Sequence, residues 1–175
     1  ENGKMKTMKW FGYVYPKALD VMSTPKIFTP DIAPNSSYSI DKTGEIFFTG
    51  GVSGGYGIKA KSGISPDYLL GLLNSKLLDW YLKQISTQMR GGWYSFESKY
   101  IRNIPIILSE GKYQNEIEQS VNELLKLSHE KVESALPSAI DQINTKILYI
   151  QNKINELVFK IYALEKSEIE LINNR

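Results

Sequence analysis

The sequence predicts an α+β fold: a small mixed β-sheet domain with a packed helix over residues 1–108, then a long antiparallel helical hairpin over residues 109–175. Three observations point there. Short runs rich in Ile, Phe, Thr and Tyr alternate with Gly, Pro and Asn turns in the first part. A sustained apolar period of 3 and 4 residues runs through the second. Charge and aromatic content also change between them: residues 1–108 carry 13 Lys and Arg against 8 Asp and Glu, residues 109–175 carry 8 against 11, and 16 of the 20 aromatic side chains lie in the first part. A basic, aromatic front is joined to an acidic, aliphatic rear.

In the front part, Lys26-Ile27-Phe28-Thr29 reads as a strand closed by Pro30. Tyr38-Ser39-Ile40-Asp41 and Ile46-Phe47-Phe48-Thr49 read as a hairpin about the turn Lys42-Thr43-Gly44. After the glycine cluster over residues 50–55, Tyr56 to Lys61 reads as a further strand with Lys59 and Lys61 on one face, because side chains alternate with period two. Ser65, Pro66 and Asp67 supply a cap, a first helical residue and an acidic first turn, and predict one helix running to about Ile85. Leu69, Leu72, Leu73, Leu77 and Trp80 give it a buried face. Gln88 to Tyr94 follows as a cationic, aromatic loop, and Ile104-Pro105-Ile106-Ile107-Leu108 as a closing strand, placed at an edge by Pro105.

The rear part is helical. Its second helix carries Ile140, Ile143, Ile147, Ile150, Ile154, Leu157, Ile161 and Leu164, a coiled-coil-like seam of more than three heptads that needs a partner. The segment from about Gln114 to Leu136, with Ile117, Val121, Leu124, Leu125, Ser128 and Val132, offers one before Pro137 interrupts it. Isoleucine at both seam positions also permits association between chains.

Composition narrows the chemistry. The 175 residues are 42% hydrophobic and 23% charged, which excludes disorder and collagen-like repetition. With no Cys there is no disulfide and no thiolate zinc site, and a reducing, cytoplasmic setting is expected. No apolar stretch approaches the roughly 20 residues of a membrane span. The start at Glu1, without Met or signal-peptide core, reads as a segment of a longer protein. His129, the single histidine, stands between Ser128 and Glu130 in a charged stretch and reads as solvated. The glycine cluster lacks the Lys-Ser/Thr ending of a phosphate loop and leads toward a strand, so it makes a poor AdoMet or nucleotide cradle. Pro66-Asp67 with Glu97-Ser98-Lys99 matches a loose nuclease pattern in which carboxylates hold Mg²⁺. A helix start explains Pro66 and Asp67 better. What remains is a surface for nucleic acid: Lys59, Lys61, Arg90, Lys99 and Arg102, interleaved with Tyr56, Trp93, Tyr94, Phe96 and Tyr100.

Several strings occur in a telling order. Trp10-Phe11-Gly12-Tyr13, Pro25 to Ile32, Tyr38 to Asp41, Tyr68 to Leu78, Gly91-Gly92-Trp93-Tyr94 and Ile104-Pro105-Ile106 together resemble the TaqI-like C-terminal specificity domain of type IIG-like restriction-modification adenine methyltransferases. The tail Ile154 to Leu164, then Ser167-Glu168-Ile169, resembles the usual end of fused restriction and modification enzymes, with Ala163 where glycine is more typical. The resemblance implies DNA target recognition, with double-stranded DNA and an upstream methyltransferase domain of the same polypeptide as partners and no membrane. AdoMet and Mg²⁺ are then cofactors of the parent enzyme and none is expected in this fragment, which carries no catalytic and no metal residues. The terminal helices would serve as spacer and docking surface. Charge and loop position put Arg90, Trp93, Tyr94 and Lys99 nearest the DNA, with Lys59, Lys61 and Arg102 on phosphates. A Mg-dependent nuclease using Asp67, Glu97 and Lys99, or a non-catalytic helical assembly module, are the alternatives.

Overall fold

A computed structural model describes residues 18–51 and 54–174, together with Gly12. Trp10, Phe11 and Tyr13, and Val52 and Ser53 of the glycine cluster, lie outside the described residues. The fold is α+β, as expected. A one-turn helix α1 (Leu19–Met22) leads into β1 (Lys26–Pro30), β2 (Ile32–Ala33), β3 (Ser39–Asp41) and β4 (Gly55–Ile58). The helices α2 (Pro66–Leu73) and α3 (Lys76–Ile85), the strand β5 (Tyr94–Ser95) and the short α4 (Ser98–Ile101) follow. The rear contains α5 (Lys112–Glu133), α6 (Pro137–Ile161) and α7 (Lys166–Asn173).

β1 is the centre of a three-stranded antiparallel sheet, ordered β3-β1-β4, with Ile27 opposite both Ile40 and Ile58. β2 and β5 form a second antiparallel pair, with Ile32 opposite Ser95. The expected hairpin differs in one respect, because β3 pairs with β1 and Ile46 to Thr49 is not a strand. The cause is the Asp41 carboxylate. It accepts the backbone N–H groups of Thr43, Gly44, Glu45 and Ile46, which curls the chain over instead of extending it. Gly44 has φ +79°, and a Cβ there would lie 2.3 Å from the carbonyl oxygen of Ser23, so the turn requires glycine.

The single helix expected from Ser65 to Ile85 is two. Ser65 caps α2 through Tyr68 N, and Ser75 caps α3 through Leu78 N. Between them the Asn74 side chain exchanges two hydrogen bonds with the backbone of Tyr38, and Ser75 Oγ donates to the Leu72 carbonyl. Residues that compete for backbone partners break the helix here. In α2 every residue from Tyr68 to Leu73 is buried, because β1 and β3 cover one side and α5 the other. The α2–α5 approach is close, since a Cβ on Gly71 would stand 2.5 Å from Ile117 Cγ2.

α5 and α6 form the antiparallel hairpin the seam predicts, and α5 ends before Pro137 as expected, with Pro137 the first residue of α6. Ile150, Ile154 and Leu157 are buried, whereas Ile140, Ile143 and Ile147 are only half-buried and Val132 is 87% exposed. The seam is dry only where α2 and α3 cover the hairpin. α6 stops at Ile161, and α7, which the seam did not reveal, turns back against α3. One buried cluster runs from Ile27 through Tyr68 and Leu72 to Ile117, Ile154 and Ile172, across both halves of the chain.

Candidate nucleic-acid interface

β4 ends at Ile58, so Lys59 and Lys61 lie just beyond the strand instead of on its face. Both are exposed and both line a groove of about 720 Å³. Arg102, the residue that closes α4, lines the same groove. Leu69 and Leu73 of α2 make an apolar floor, and Tyr56 and Ser98 continue the walls. Among the described residues, three cationic side chains from two segments of the chain therefore line one concavity, with nothing acidic in its lining. Such a surface attracts polyanions.

The wall beyond α4 is not the expected closing strand. Among the described residues Ile104 to Leu108 forms no strand, and two tyrosines hydrogen-bond to its backbone instead. Tyr68 OH donates to the Ile107 carbonyl at 2.9 Å; Tyr162 OH donates to the Pro105 carbonyl at 2.6 Å and accepts from Ile107 N at 3.3 Å.

Lys99 sits on α4, bound to Glu97 at 2.9 Å and 4.8 Å above the Tyr100 ring. The Glu97 carboxylate raises the affinity of the Lys99 ammonium for its proton, and Lys99 in turn lowers the pKa of Glu97. Behind them burial raises the Asp31 carboxyl, with the Glu97 charge adding to the shift and Lys99 opposing it. Arg90, Trp93 and Tyr94 belong to a separate tight turn whose Gly91 and Gly92 have φ +78° and +79°. A hydrogen bond from Met89 N to Trp93 O closes it. Arg90 and Trp93 are exposed, whereas Tyr94 is half-buried with Lys83 Nζ 5.5 Å from its ring centroid. Thr87 at the base of this turn is hydrogen-bonded to Tyr100 OH of α4, which ties the turn to the groove wall.

Phe96, expected among the exposed aromatics, is fully buried and meets Tyr38 edge-on at 5.9 Å, so it belongs to the core. Glu97, an acidic side chain two residues before Lys99 that the sequence reading assigns only to the nuclease pattern, is ion-paired with Lys99 at the edge of this surface. That pattern is not assembled. Asp67 is engaged by Lys42 at 2.9 Å and by Asn122, while Glu97 is engaged by Lys99 and Ser95. Among the described residues no three His, Cys, Asp or Glu side chains are grouped to hold a metal ion. The described end of the glycine cluster leads into β4. His129 is solvent-exposed beside Glu133, as expected.

An α+β module with a basic groove beside a glycine-flanked aromatic turn has the features of a nucleic-acid recognition domain. A family model described as the TaqI-like C-terminal specificity domain matches residues 2–106, and the chain belongs to that family. Membership carries a DNA-recognition role in restriction-modification systems. No curated protein matches the chain. Among the described residues no helix is long and apolar enough to cross a membrane.

Proposed function

We propose that the chain is the sequence-specific DNA target recognition domain of a restriction-modification enzyme, presenting the duplex to an N6-adenine methyltransferase and endonuclease upstream in the same polypeptide. The observation that carries this reading is the groove where Lys59, Lys61 and Arg102 converge over an apolar floor. These three side chains neutralise phosphates and fix the register of the duplex; Arg90, Trp93, Tyr94 and Lys99 approach base edges. Residues 1–108 are the recognition domain in this reading, and residues 109–175 are spacer and docking surface. AdoMet and Mg²⁺ serve the upstream domain, in the cytoplasm, and the fragment itself is non-catalytic. The test is fluorescence anisotropy of a labelled duplex with this chain and with the parent polypeptide across a salt series. Salt-sensitive capture by both molecules, with no cleavage by this chain alone, is expected, and no capture by either molecule overturns the reading.

One observation favours a helical assembly module as a second reading. Val132 and Leu136 beside the turn between α5 and α6, and Leu148 and Tyr149 midway along α6, are all exposed. Concentration-dependent association with no duplex affinity would support it.

A further inference from the structure

We propose that Glu97 and Lys99 act together as the reader of a single C·G base pair, an inference that rests on the duplex-recognition reading above. Glu97 follows β5 and opens α4, next to groove residue Ser98. Ser95 Oγ and Lys99 Nζ both bond to Glu97 Oε1, at 3.2 and 2.9 Å, which fixes the carboxylate and leaves Oε2 free to accept among the described residues. The two side chains stay accessible, Lys99 60% and Glu97 36% exposed. They lie beside Tyr56 of the groove wall, whose hydroxyl is raised first by burial and then by the charges of Asp31 and Glu97.

A carboxylate at the rim of a surface that collects phosphates is repulsive toward the backbone, so its use lies with a donor on a base edge. The major groove offers two, cytosine N4 and adenine N6. Lys99 selects between them. With one proton on Glu97, its other two can meet O6 and N7 of guanine, whereas thymine opposite adenine offers O4 alone beside a methyl group. Asp31, 6% exposed and with Oδ1 unpartnered among the described residues, places a second carboxyl near enough to interact with the charges of both Glu97 and Lys99.

The experiment is selection of duplexes from a randomised pool at fixed salt by the wild-type chain, Glu97→Gln and Lys99→Ala. Both positions are accessible to solvent, so both variants are expected to fold. Wild type should enrich C·G at one position. Glu97→Gln should move that position alone toward A·T, because a carboxamide pairs with adenine N6 and N7, changing relative affinity by roughly 5- to 150-fold. Lys99→Ala should lose the guanine preference there. A wild-type preference for A·T at that position, or variants that bind with an unaltered motif, overturns this inference alone. Failure of the wild type to capture any duplex overturns the recognition reading, and this inference with it.

Discussion

Lys26 and Asp41 face each other across the β1–β3 pair as a buried ion pair, with 2.6 Å between Nζ and Oδ2 and side chains only 6% and 2% exposed. The Lys26 ammonium is the main cause that holds the Asp41 carboxyl well below the usual carboxylate range; burial opposes it, and the N–H groups of Ile46, Gly44 and Glu45 assist. A carboxyl with a depressed folded pKa binds fewer protons when folded. Its stabilisation is complete above the ordinary value of about 3.9 and is lost as pH falls through the folded value. Urea midpoints should therefore decline below about pH 4, and Asp41→Asn should lower the neutral midpoint while flattening that acid limb. An unchanged limb in the variant would refute the assignment.

The tyrosine ties predict the opposite limb. Burial is the first cause that raises the hydroxyls of Tyr68 and Tyr162 above the usual tyrosine range. A group raised in the folded state stabilises fully below its unfolded value, about 10, and loses that contribution as pH climbs through the folded value. Tyr162→Phe should cost about 1 kcal/mol at neutral pH, speed amide exchange at Ile107, and reduce the alkaline loss. Retained protection of the Ile107 amide would show that the hydroxyl does not hold this segment.

How much of this was legible depended on whether a residue's local signal was also its tertiary role. The isoleucine seam specified the hairpin because apolar period and packing coincide along α6. Ser75 carries a cap signal as clear as Ser65, yet the apolar period of Leu72, Leu73 and Leu77 runs through it, and periodicity concealed the break. Ile104 to Leu108 has strand composition, but its partners are hydroxyls more than 30 residues away in sequence, which no local pattern encodes. Lys59, Lys61 and Arg102 stand out in the sequence by charge, whereas the groove that all three line does not. Phe96 shows the limit most plainly: exposed and buried aromatics have the same letter.

Ala163 is a non-glycine residue at φ +52°, where the chain leaves α6. Leu164 N bonds back to Phe159 O and Ala163 N to Lys160 O, a helix end that favours glycine at this position. The left-handed conformation costs alanine roughly 1–2 kcal/mol, and the greater freedom of glycine in the unfolded chain offsets part of that gain. Ala163→Gly should stabilise by about 0.5–1 kcal/mol, read as a higher urea midpoint at unchanged slope. Destabilisation would mean that the alanine methyl makes a packing contribution larger than the strain.

Salt dependence offers the most direct measure of the groove. Each phosphate neutralised releases condensed counterions, and the slope of log affinity against log salt is about −0.9 per contact on duplex DNA. Lys59 and Lys61 follow β4 two positions apart and both line the groove, so they engage neighbouring phosphates if a duplex lies along it. Lys59→Ala with Lys61→Ala should then shallow the slope by about 1.8 and weaken binding to all sequences alike, whereas Arg102→Ala should shallow it by about 0.9. Arg90→Ala, outside the groove lining, should relax sequence preference beyond the loss of a single charge, since arginine can pair with guanine O6 and N7 together. Anisotropy titrations at four or more salt concentrations separate these outcomes. Slopes that stay at the wild-type value in both lysine and arginine variants would remove the groove from the path of the DNA.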